Sequence, residues 1–397
     1  MSKINLNKYK NVKRRIGKDW INLNPIQRGG VLPPESRETL QSFGDGYSTC
    51  DYCLEGRVDL VDSPPIDDLA GDIAKFVNMD EIMFTAGCRH AQWVALKALT
   101  EPGDVIVIDS LAHYTTYLAA ENLDLEIREV PHNGYPDFEL EVEDYADIIE
   151  EVEEKKGETP AVLFLTHVDY RYGNRINPEK VGKIAKKWKI PYFVNAAYTG
   201  GIMPIDGRRW KSDFIGFSGH KSWASSGPIG MLATSYEHSE KTFPKSEVKG
   251  PWSGRGFTKK IPQLFGCPPV FGAPIATLMS SFPHVYERVQ NWDEHLENAR
   301  WFVDKLEKIE DFRQIGQRPR KHTLMSIETP SFHRVSKRHE RRGFFLYDEL
   351  KERKIAGIQP GLTKMIKINT YGLSKEELEH VISSFYEIAE KYDVEVG

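Results

Sequence analysis

The chain has 397 residues, of which 40% are hydrophobic and 28% are charged, and its formal net charge is −5. This is the composition of an ordinary globular protein, and it excludes a fibrous or an intrinsically disordered chain. A slightly acidic chain has no overall positive field, so any contact with nucleic acid must use local basic patches.

Residues 1–65 are predicted to form an extended N-terminal arm. The stretch has many turn formers, including Gly29-Gly30 and Pro33-Pro34, and it carries the CxxC pair Cys50 and Cys53. No run of about 18 apolar residues occurs here or elsewhere in the sequence, so we expect neither a signal peptide nor a membrane span.

Residues 66–275 are predicted to form a large α/β domain. Short apolar runs alternate with helical patterns between residues 81 and 234, in the order IMFT, DVIVID, AVLFLTH, PYFVN, DFIGFS and PIGMLAT. Strands that are apolar on both faces and alternate with helices indicate a mostly parallel sheet covered on both sides. A loop rich in glycine and proline, residues 250–274, ends this region.

Residues 276–397 are predicted to form a linking helix and a smaller α+β C-terminal domain. One amphipathic pattern runs from about residue 276 to residue 310 and could connect the two domains. The strand patterns LMSIE and IKINT follow, together with helical patterns near residues 344–354 and from Ser374 onward.

Lys221 is the first candidate for chemistry. It lies in the turn SGHKS directly after an apolar strand, where a parallel sheet places its ligands, and a partly desolvated amine there can form a Schiff base. A single lysine after a strand is usually a solvated surface residue, so the assignment needs further groups at neighbouring strand ends.

Other strand ends supply those groups. Cys88 and Arg89 follow a strand and open a helix, which offers backbone N–H groups and a guanidinium to a phosphate. His113 follows DVIVID and could lie against a flat heterocycle, and Asn195 ends PYFVN, where an amide would meet a pyridine nitrogen. A helix cap, a core histidine and a turn residue are the ordinary explanations. Their common placement at strand ends predicts a pyridoxal phosphate site.

Two sets of motifs carry a resemblance to known enzymes. The order of TAGCR, LAHYTT, VNAAYTGG and SGHKSW resembles that of fold-type-I pyridoxal phosphate enzymes. The segments INLNPIQRGG, FGDGYSTCDYC, SGHKSWASSGPIG, LFGC and SSFPHVYERV resemble the archaeal O-phosphoseryl-tRNA:cysteinyl-tRNA synthases over nearly the whole chain. This resemblance implies a homodimeric transferase that converts phosphoseryl-tRNA(Cys) into cysteinyl-tRNA(Cys), with phosphoseryl-tRNA synthetase as a candidate partner. Four cysteines are too few for a secreted fold held by disulfides, so we expect a cytoplasmic location.

The resemblance also implies roles for individual residues. Lys221 would bind pyridoxal phosphate covalently and remove the α-proton, while His113 would stack on the ring and Asn195 would face its pyridine side. The remaining residues would contact the phosphate end. The implied cofactor set is Cys88, Arg89, His113, Asn195, Ser218, Gly219, His220 and Lys221.

Cys50, Cys53 and Cys267 are the candidates for sulfur chemistry. A closed zinc site needs four ligands, and the fourth cysteine, Cys88, is assigned to the phosphate loop. Three thiolates could instead carry a persulfide or hold an iron–sulfur cluster with one open site, and the resemblance favours such a role. The alternative is that the three cysteines lie in loops and have no role in the reaction. The sequence does not identify the sulfur donor.

Two other functions stay open at this point. A cysteine desulfurase or sulfur transferase acting on a free amino acid would keep Lys221 and the cysteines and would not need tRNA. An inactive dimeric scaffold would keep only the fold and bind tRNA or a synthetase. The strand at residues 363–368 contains no arginine, the usual clamp for a free α-carboxylate, which favours an esterified substrate.

Overall fold

The structure is a computed structural model, and it describes residues 10, 12, 16–17, 19–26, 28–45, 64–244, 249–256 and 272–397. Two short elements precede the large domain. Strand β1 (Ile21–Asn22) pairs in parallel with the strand Ile355–Ala356 near the C-terminus. Helix α1 (Pro34–Ser42) begins with a proline, which fits the first helical position because no intrahelical bond is lost there. The predicted arm therefore includes a helix.

The large domain consists of helices and strands in regular alternation. In chain order they are α2 (Ile66–Phe76), β2 (Glu81–Thr85), α3 (Cys88–Leu99), β3 (Val105–Asp109), α4 (Tyr114–Asn122), β4 (Glu126–Val130), α5 (Asp144–Lys156), β5 (Val162–Thr166), α6 (Pro178–Trp188), β6 (Tyr192–Asn195), α7 (Gly207–Trp210), β7 (Phe214–Ser218), α8 (Gly219–Ser222), β8 (Gly230–Thr234) and α9 (Tyr236–Thr242).

These seven strands form one sheet in the order β2, β8, β7, β6, β5, β3, β4. Strand β8 is antiparallel to both of its neighbours, and the other six share one direction. The predicted mostly parallel sheet is therefore confirmed. The carboxyl ends of β2, β3, β5, β6 and β7 lie at one edge of the sheet.

Apolar cores cover both faces of this sheet. Successive side chains of a strand point to opposite faces, and in β3 Val107 joins the core under α2, α5 and α6, whereas Ile106 and Ile108 join the core under α3 and α4. Every residue of β3, β5 and β7 is buried, which explains why these strands are continuous apolar runs.

The C-terminal region adds a second sheet. In chain order it contains α10 (Gly272–Val289), α11 (Trp292–Leu306), β9 (Arg313–Ile315), β10 (Leu324–Glu328), α12 (Pro330–Arg338), a 3-10 turn (Arg342–Phe344), α13 (Phe345–Glu352), β11 (Ile355–Ala356), β12 (Met365–Asn369) and α14 (Lys375–Lys391). Strand β10 lies between β9 and β12 and is antiparallel to both.

The predicted amphipathic segment of residues 276–310 is two helices. The first, α10, packs Ile275 and Leu278 into the core of the large sheet, and the second, α11, packs Ala299 and Phe302 into the core of the small one. The domain limits 66–275 and 276–397 stay a prediction. Among the described residues, no helix combines the length and the apolar character that crossing a membrane requires.

Candidate active site

A cavity of about 290 Å³ opens at the carboxyl-end edge of the large sheet. The residues that follow β2, β3, β5, β6 and β7 line it, as expected for a parallel sheet. Among the predicted residues, those that line the cavity are Cys88, Arg89, His113, Asn195, Ser218, His220 and Lys221.

The predicted residue Gly219 is not among the lining residues. It begins α8, its backbone N–H donates to the carbonyl of Ile229 at 2.8 Å, and a side chain there would meet Ile229 and Ser225. Gly219 therefore sets the turn that presents the next two residues, and its predicted contact with a cofactor stays a prediction.

The Lys221 amine lies inside the cavity, with its Nζ 4.7 Å from the centre of the Tyr198 ring. Burial lowers the pKa of Lys221 from its ordinary value, and the positive charges of Arg89 and Lys367 lower it further against an opposing effect of Cys88. A lowered pKa increases the fraction of neutral amine, which is the form that attacks a carbonyl or accepts a proton.

Arg288 of α10 holds the Lys221 turn in place. Its Nε donates to the carbonyl of Gly201 at 2.8 Å, and its Nη2 donates to the carbonyls of Gly29, at 3.0 Å, and Ser222. The arm passes so close to this turn that a Cβ on Gly30 would overlap the carbonyl oxygen of His220. One side chain thus ties the arm, the Lys221 turn and the loop after β6 together.

Two side chains that line the cavity have buried polar atoms without a hydrogen-bond partner among the described residues. These atoms are Gln92 Nε2 and Ser218 Oγ. Leaving such atoms unpaired costs about 1–3 kcal/mol each, so their presence in one cavity indicates a polar ligand.

The start of α3 adds backbone donors and a charge. Gly87 has φ of 122°, a conformation that favours glycine, and it turns the chain from β2 into the first turn of α3. Arg89 lies on this turn and donates from Nη2 to the hydroxyl of Tyr114 at 2.9 Å. A helix N-terminus with an adjacent guanidinium suits a phosphate. The residues present therefore fit pyridoxal phosphate.

His113 is the N-cap of α4. Its Nδ1 accepts a hydrogen bond from the backbone N–H of Thr115 at 3.3 Å, and its ring lies 4.8 Å from the ring of Tyr170. Burial, followed by the charges of Lys221, Arg89 and Lys367, lowers the pKa of His113 to about 4. The imidazole is therefore neutral at neutral pH and can lie against an aromatic ring without adding a charge.

Asn195 is oriented by two donors. Its Oδ1 accepts from the backbone N–H of Ala197 at 3.1 Å and from the Sγ of Cys88 at 3.3 Å. Burial raises the pKa of Cys88 to about 12, so its thiol keeps the proton that it donates. With the amide oxygen engaged on both sides, the NH₂ group of Asn195 is the part left for a ligand. This side-chain contact of Cys88 adds to the backbone role predicted for it.

Among the lining residues that sequence reasoning did not single out are Gln92, Thr166, Tyr170 and Tyr198. Thr166 ends the apolar run VLFLT, so the rule that selected Asn195 also applies to it. Tyr170 and Tyr198 follow strand ends by several residues, and Gln92 is one turn into α3. No sequence signal distinguishes these three.

Cys50, Cys53 and Cys267 lie outside the described residues. Their predicted roles in sulfur transfer, and the iron–sulfur cluster suggested for them, stay predictions.

Comparison with known proteins first gives the class of protein. Residues 66–346 match the family model for aminotransferase class-V, a pyridoxal phosphate-dependent family, so the chain has the fold of an aminotransferase class-V protein and the family supports this cofactor. A cysteine desulfurase from Thermococcus onnurineus NA1 superposes with a TM-score of 0.73 over 94% of this chain and 95% of its own, and at 17% identity this shows the fold alone.

The full-length comparisons narrow the class to one family. O-phospho-L-seryl-tRNA:Cys-tRNA synthase 2 of Archaeoglobus fulgidus is 55% identical, over 96% of this chain and 97% of the relative. A solved SepCysS–SepCysE N-terminal domain complex contains a chain that is 46% identical, with a TM-score of 0.88 over 98% of this chain and 100% of its own. The protein belongs to the O-phospho-L-seryl-tRNA:Cys-tRNA synthase family, which confirms the resemblance and the predicted fold-type-I architecture.

Proposed function

We propose that this protein converts O-phosphoseryl-tRNA(Cys) into cysteinyl-tRNA(Cys). The observation that carries the proposal is one cavity in which the Lys221 amine, its pKa lowered by burial, lies with Arg89, His113 and Asn195. The relative with 55% identity is an O-phospho-L-seryl-tRNA:Cys-tRNA synthase, and its activity supplies the substrate and the product proposed here.

Different cavity residues would contact different parts of pyridoxal phosphate. Lys221 would bind its aldehyde carbon, the first turn of α3 with Arg89 and Ser218 would hold its phosphate, and His113 and Asn195 would contact its ring. When bound, the cofactor delocalises the negative charge that develops at the substrate α-carbon. Asn195 offers the pyridine side a neutral amide, which favours a weaker electron sink than a carboxylate would. Such a sink is sufficient when the leaving group is a phosphate.

Lys221 moves the proton. Its neutral amine, which the lowered pKa makes available, takes the α-proton of the phosphoseryl ester and later returns it. The bond from the β-carbon to the phosphate oxygen breaks, with the electron pair leaving on phosphate, and a new bond forms from the β-carbon to sulfur. With sulfide as the sulfur source, no net oxidation or reduction occurs.

Sulfur delivery is the proposed role of Cys50, Cys53 and Cys267. As a persulfide loaded by a sulfane-sulfur donor, one of them would transfer its outer sulfur to the β-carbon, and the thiol of a second cysteine would cleave the resulting mixed disulfide, leaving a disulfide between the two cysteines. An iron–sulfur cluster with one open site would instead bind sulfide and deliver it without a change of oxidation state. The family relationship supports a homodimer in the cytoplasm with phosphoseryl-tRNA synthetase as a partner. The solved relative is in complex with the N-terminal domain of SepCysE, which makes a protein of that kind a second candidate partner.

The test is an anaerobic turnover assay with phosphoseryl-tRNA(Cys) and sulfide. We expect cysteinyl-tRNA and phosphate in equal amounts from the wild type, and neither product from Lys221→Ala. Lys75→Ala is the matched control, because this lysine is exposed on α2. Single changes of Cys50, Cys53 and Cys267 to Ala should reduce sulfur incorporation. Turnover of free cysteine with no reaction of phosphoseryl-tRNA would contradict the proposal and favour a desulfurase.

A further inference from the structure

A second cavity, of about 530 Å³, lies between the residues after β1 and the strand β12. Its volume is in the usual range for small-molecule sites. Ile26 and Leu362 form apolar walls and are 47% and 44% exposed, large values for aliphatic side chains. Arg171 and Lys367 supply two positive charges, and none of the described residues that line this groove is acidic.

The groove and the active-site cavity adjoin each other where Lys367 contacts Tyr170. Lys367 lines the groove and donates from Nζ to the carbonyl of Tyr170 at 3.0 Å. Tyr170 itself lines the active-site cavity, where its ring lies 4.8 Å from that of His113. The charge of Lys367 also lowers the pKa of both Lys221 and His113, as expected for a short separation. The two cavities are therefore neighbours, which a ligand that occupies both of them requires.

We propose that this groove binds the 3′-terminal nucleotide of an aminoacyl-tRNA while the amino acid esterified to that nucleotide occupies the Lys221 cavity. The inference rests on the proposed function, because only an esterified substrate brings a nucleotide to this place. An ester bond is short, so the terminal ribose must lie within a few bonds of the reacting amino acid. This groove adjoins the Lys221 cavity through the contact between Lys367 and Tyr170.

The chemistry of the groove suits each part of a nucleotide. The exposed side chains of Ile26 and Leu362 offer apolar surface to the face of a base, and the amides of Asn24 and Gln359 can meet its polar edge or the ribose hydroxyls. Lys367 and Arg171 can meet the phosphate, and the absence of acidic lining residues among those described removes the main source of repulsion.

A free α-carboxylate is the competing occupant for Lys367. Lysine is a compact point charge without the two-pronged geometry that arginine offers a carboxylate, and the Nζ of Lys367 already donates to a backbone carbonyl. A single charge–charge contact with a phosphate requires a less exact geometry than a two-pronged contact with a carboxylate. The geometry therefore favours the nucleotide over the amino acid carboxylate.

The experiment compares Lys367→Gln with Lys364→Gln on two substrates. Lys364 is exposed, lies three residues earlier in the chain and does not line the groove, so its variant removes the same charge beside the site. The substrates are phosphoseryl-tRNA(Cys) and O-phosphoserine methyl ester, which carries the reacting group without a nucleotide. We expect Lys367→Gln to lower the ratio of kcat/KM for tRNA to kcat/KM for the methyl ester about tenfold, mainly through KM. Lys364→Gln should leave this ratio at the wild-type value.

An equal loss on both substrates would overturn the proposal. Free phosphoserine, assayed as a further substrate, tests the carboxylate alternative: a loss confined to it would also overturn the proposal and would make Lys367 a carboxylate ligand. The dinucleotide pCpA gives a direct readout that needs no turnover. Its dissociation constant should rise about tenfold in Lys367→Gln and also in Leu362→Glu, which adds a negative charge at an exposed position. If the wild-type protein binds pCpA in this groove but does not convert phosphoseryl-tRNA, only the proposed function is contradicted. If the wild-type protein converts phosphoseryl-tRNA and the variants bind pCpA as tightly as it does, only the proposed role of the groove is contradicted.

Discussion

Replacing Arg288 by alanine should loosen the Lys221 turn and destabilise the protein. The guanidinium donates hydrogen bonds to the carbonyls of Gly201, Gly29 and Ser222. The carbonyl of Gly29 keeps a second donor, the backbone N–H of Ala224, so two carbonyls bear most of the loss. At about 1.5 kcal/mol for each hydrogen bond to a charged group, the free energy of unfolding should fall by about 3 kcal/mol.

The expected thermal shift follows from the chain length. An unfolding entropy of about 2.1 cal/mol/K per residue over 397 residues converts about 3 kcal/mol into a decrease of about 4 °C in Tm. Calorimetry on the holoenzyme measures this shift, and a fluorescence titration with pyridoxal phosphate should show weaker binding, because Lys221 loses its support. Arg288→Lys should be intermediate, since lysine cannot span the same carbonyls.

Arg334→Ala is the control for the loss of an arginine as such. Arg334 is exposed on α12 and pairs with Glu310 and Asp311 at the surface. Exposed ion pairs contribute at most about 1 kcal/mol, so its Tm should fall by about 1 °C and its cofactor affinity should not change. If Arg288→Ala and Arg334→Ala showed the same Tm and the same cofactor affinity, the anchoring role of Arg288 would be refuted.

Three further predictions concern the same cavity. Gly30→Ala should lower the Tm and the cofactor affinity, because its Cβ would overlap the carbonyl of His220. Gly71→Ala, in open space on α2, should instead raise the free energy of unfolding by about 0.5–1 kcal/mol. Calorimetry that finds Gly30→Ala more stable than Gly71→Ala would contradict the close packing at Gly30. Cys88, whose pKa burial raises to about 12, should resist iodoacetamide at pH 8 in the native protein and react after denaturation, as peptide mass spectrometry can show. The pKa of His113 is about 4 in the folded protein, whereas the ordinary pKa of histidine is about 6.5. Between these two pH values the unfolded chain binds a proton at His113 and the folded protein does not. The free energy of unfolding should therefore fall as the pH drops from about 6.5 to about 4. His113→Gln should flatten this dependence, and a ring that titrates near pH 6.5 by NMR would contradict it.

The apolar strands of the large domain could be predicted from the sequence because they are buried on both faces. The run VIVID becomes β3, and its neighbours VLFLT and FIGFS become β5 and β7. Strand β4 (Glu126–Val130) was missed for the opposite reason. It lies at the edge of the sheet, four of its five residues are only partly buried or exposed, and its sequence EIREV has no apolar run.

The candidate site could likewise be predicted only in part. Residues at the very ends of strands, such as His113 and Asn195, could be placed because parallel strands end at a common edge. Lys367, a cation of the neighbouring groove, comes from the small sheet, and Arg288 reaches the Lys221 turn from α10. Their positions depend on how the two cores pack, which no local pattern in the sequence encodes.

The most direct test of the central claim is single-turnover conversion of phosphoseryl-tRNA(Cys) with sulfide, measured as a function of the residue at position 221. The wild-type protein should release phosphate and form cysteinyl-tRNA. Lys221→Ala should form neither product, although it still folds and binds tRNA. Formation of cysteinyl-tRNA by Lys221→Ala at the wild-type rate would contradict the account.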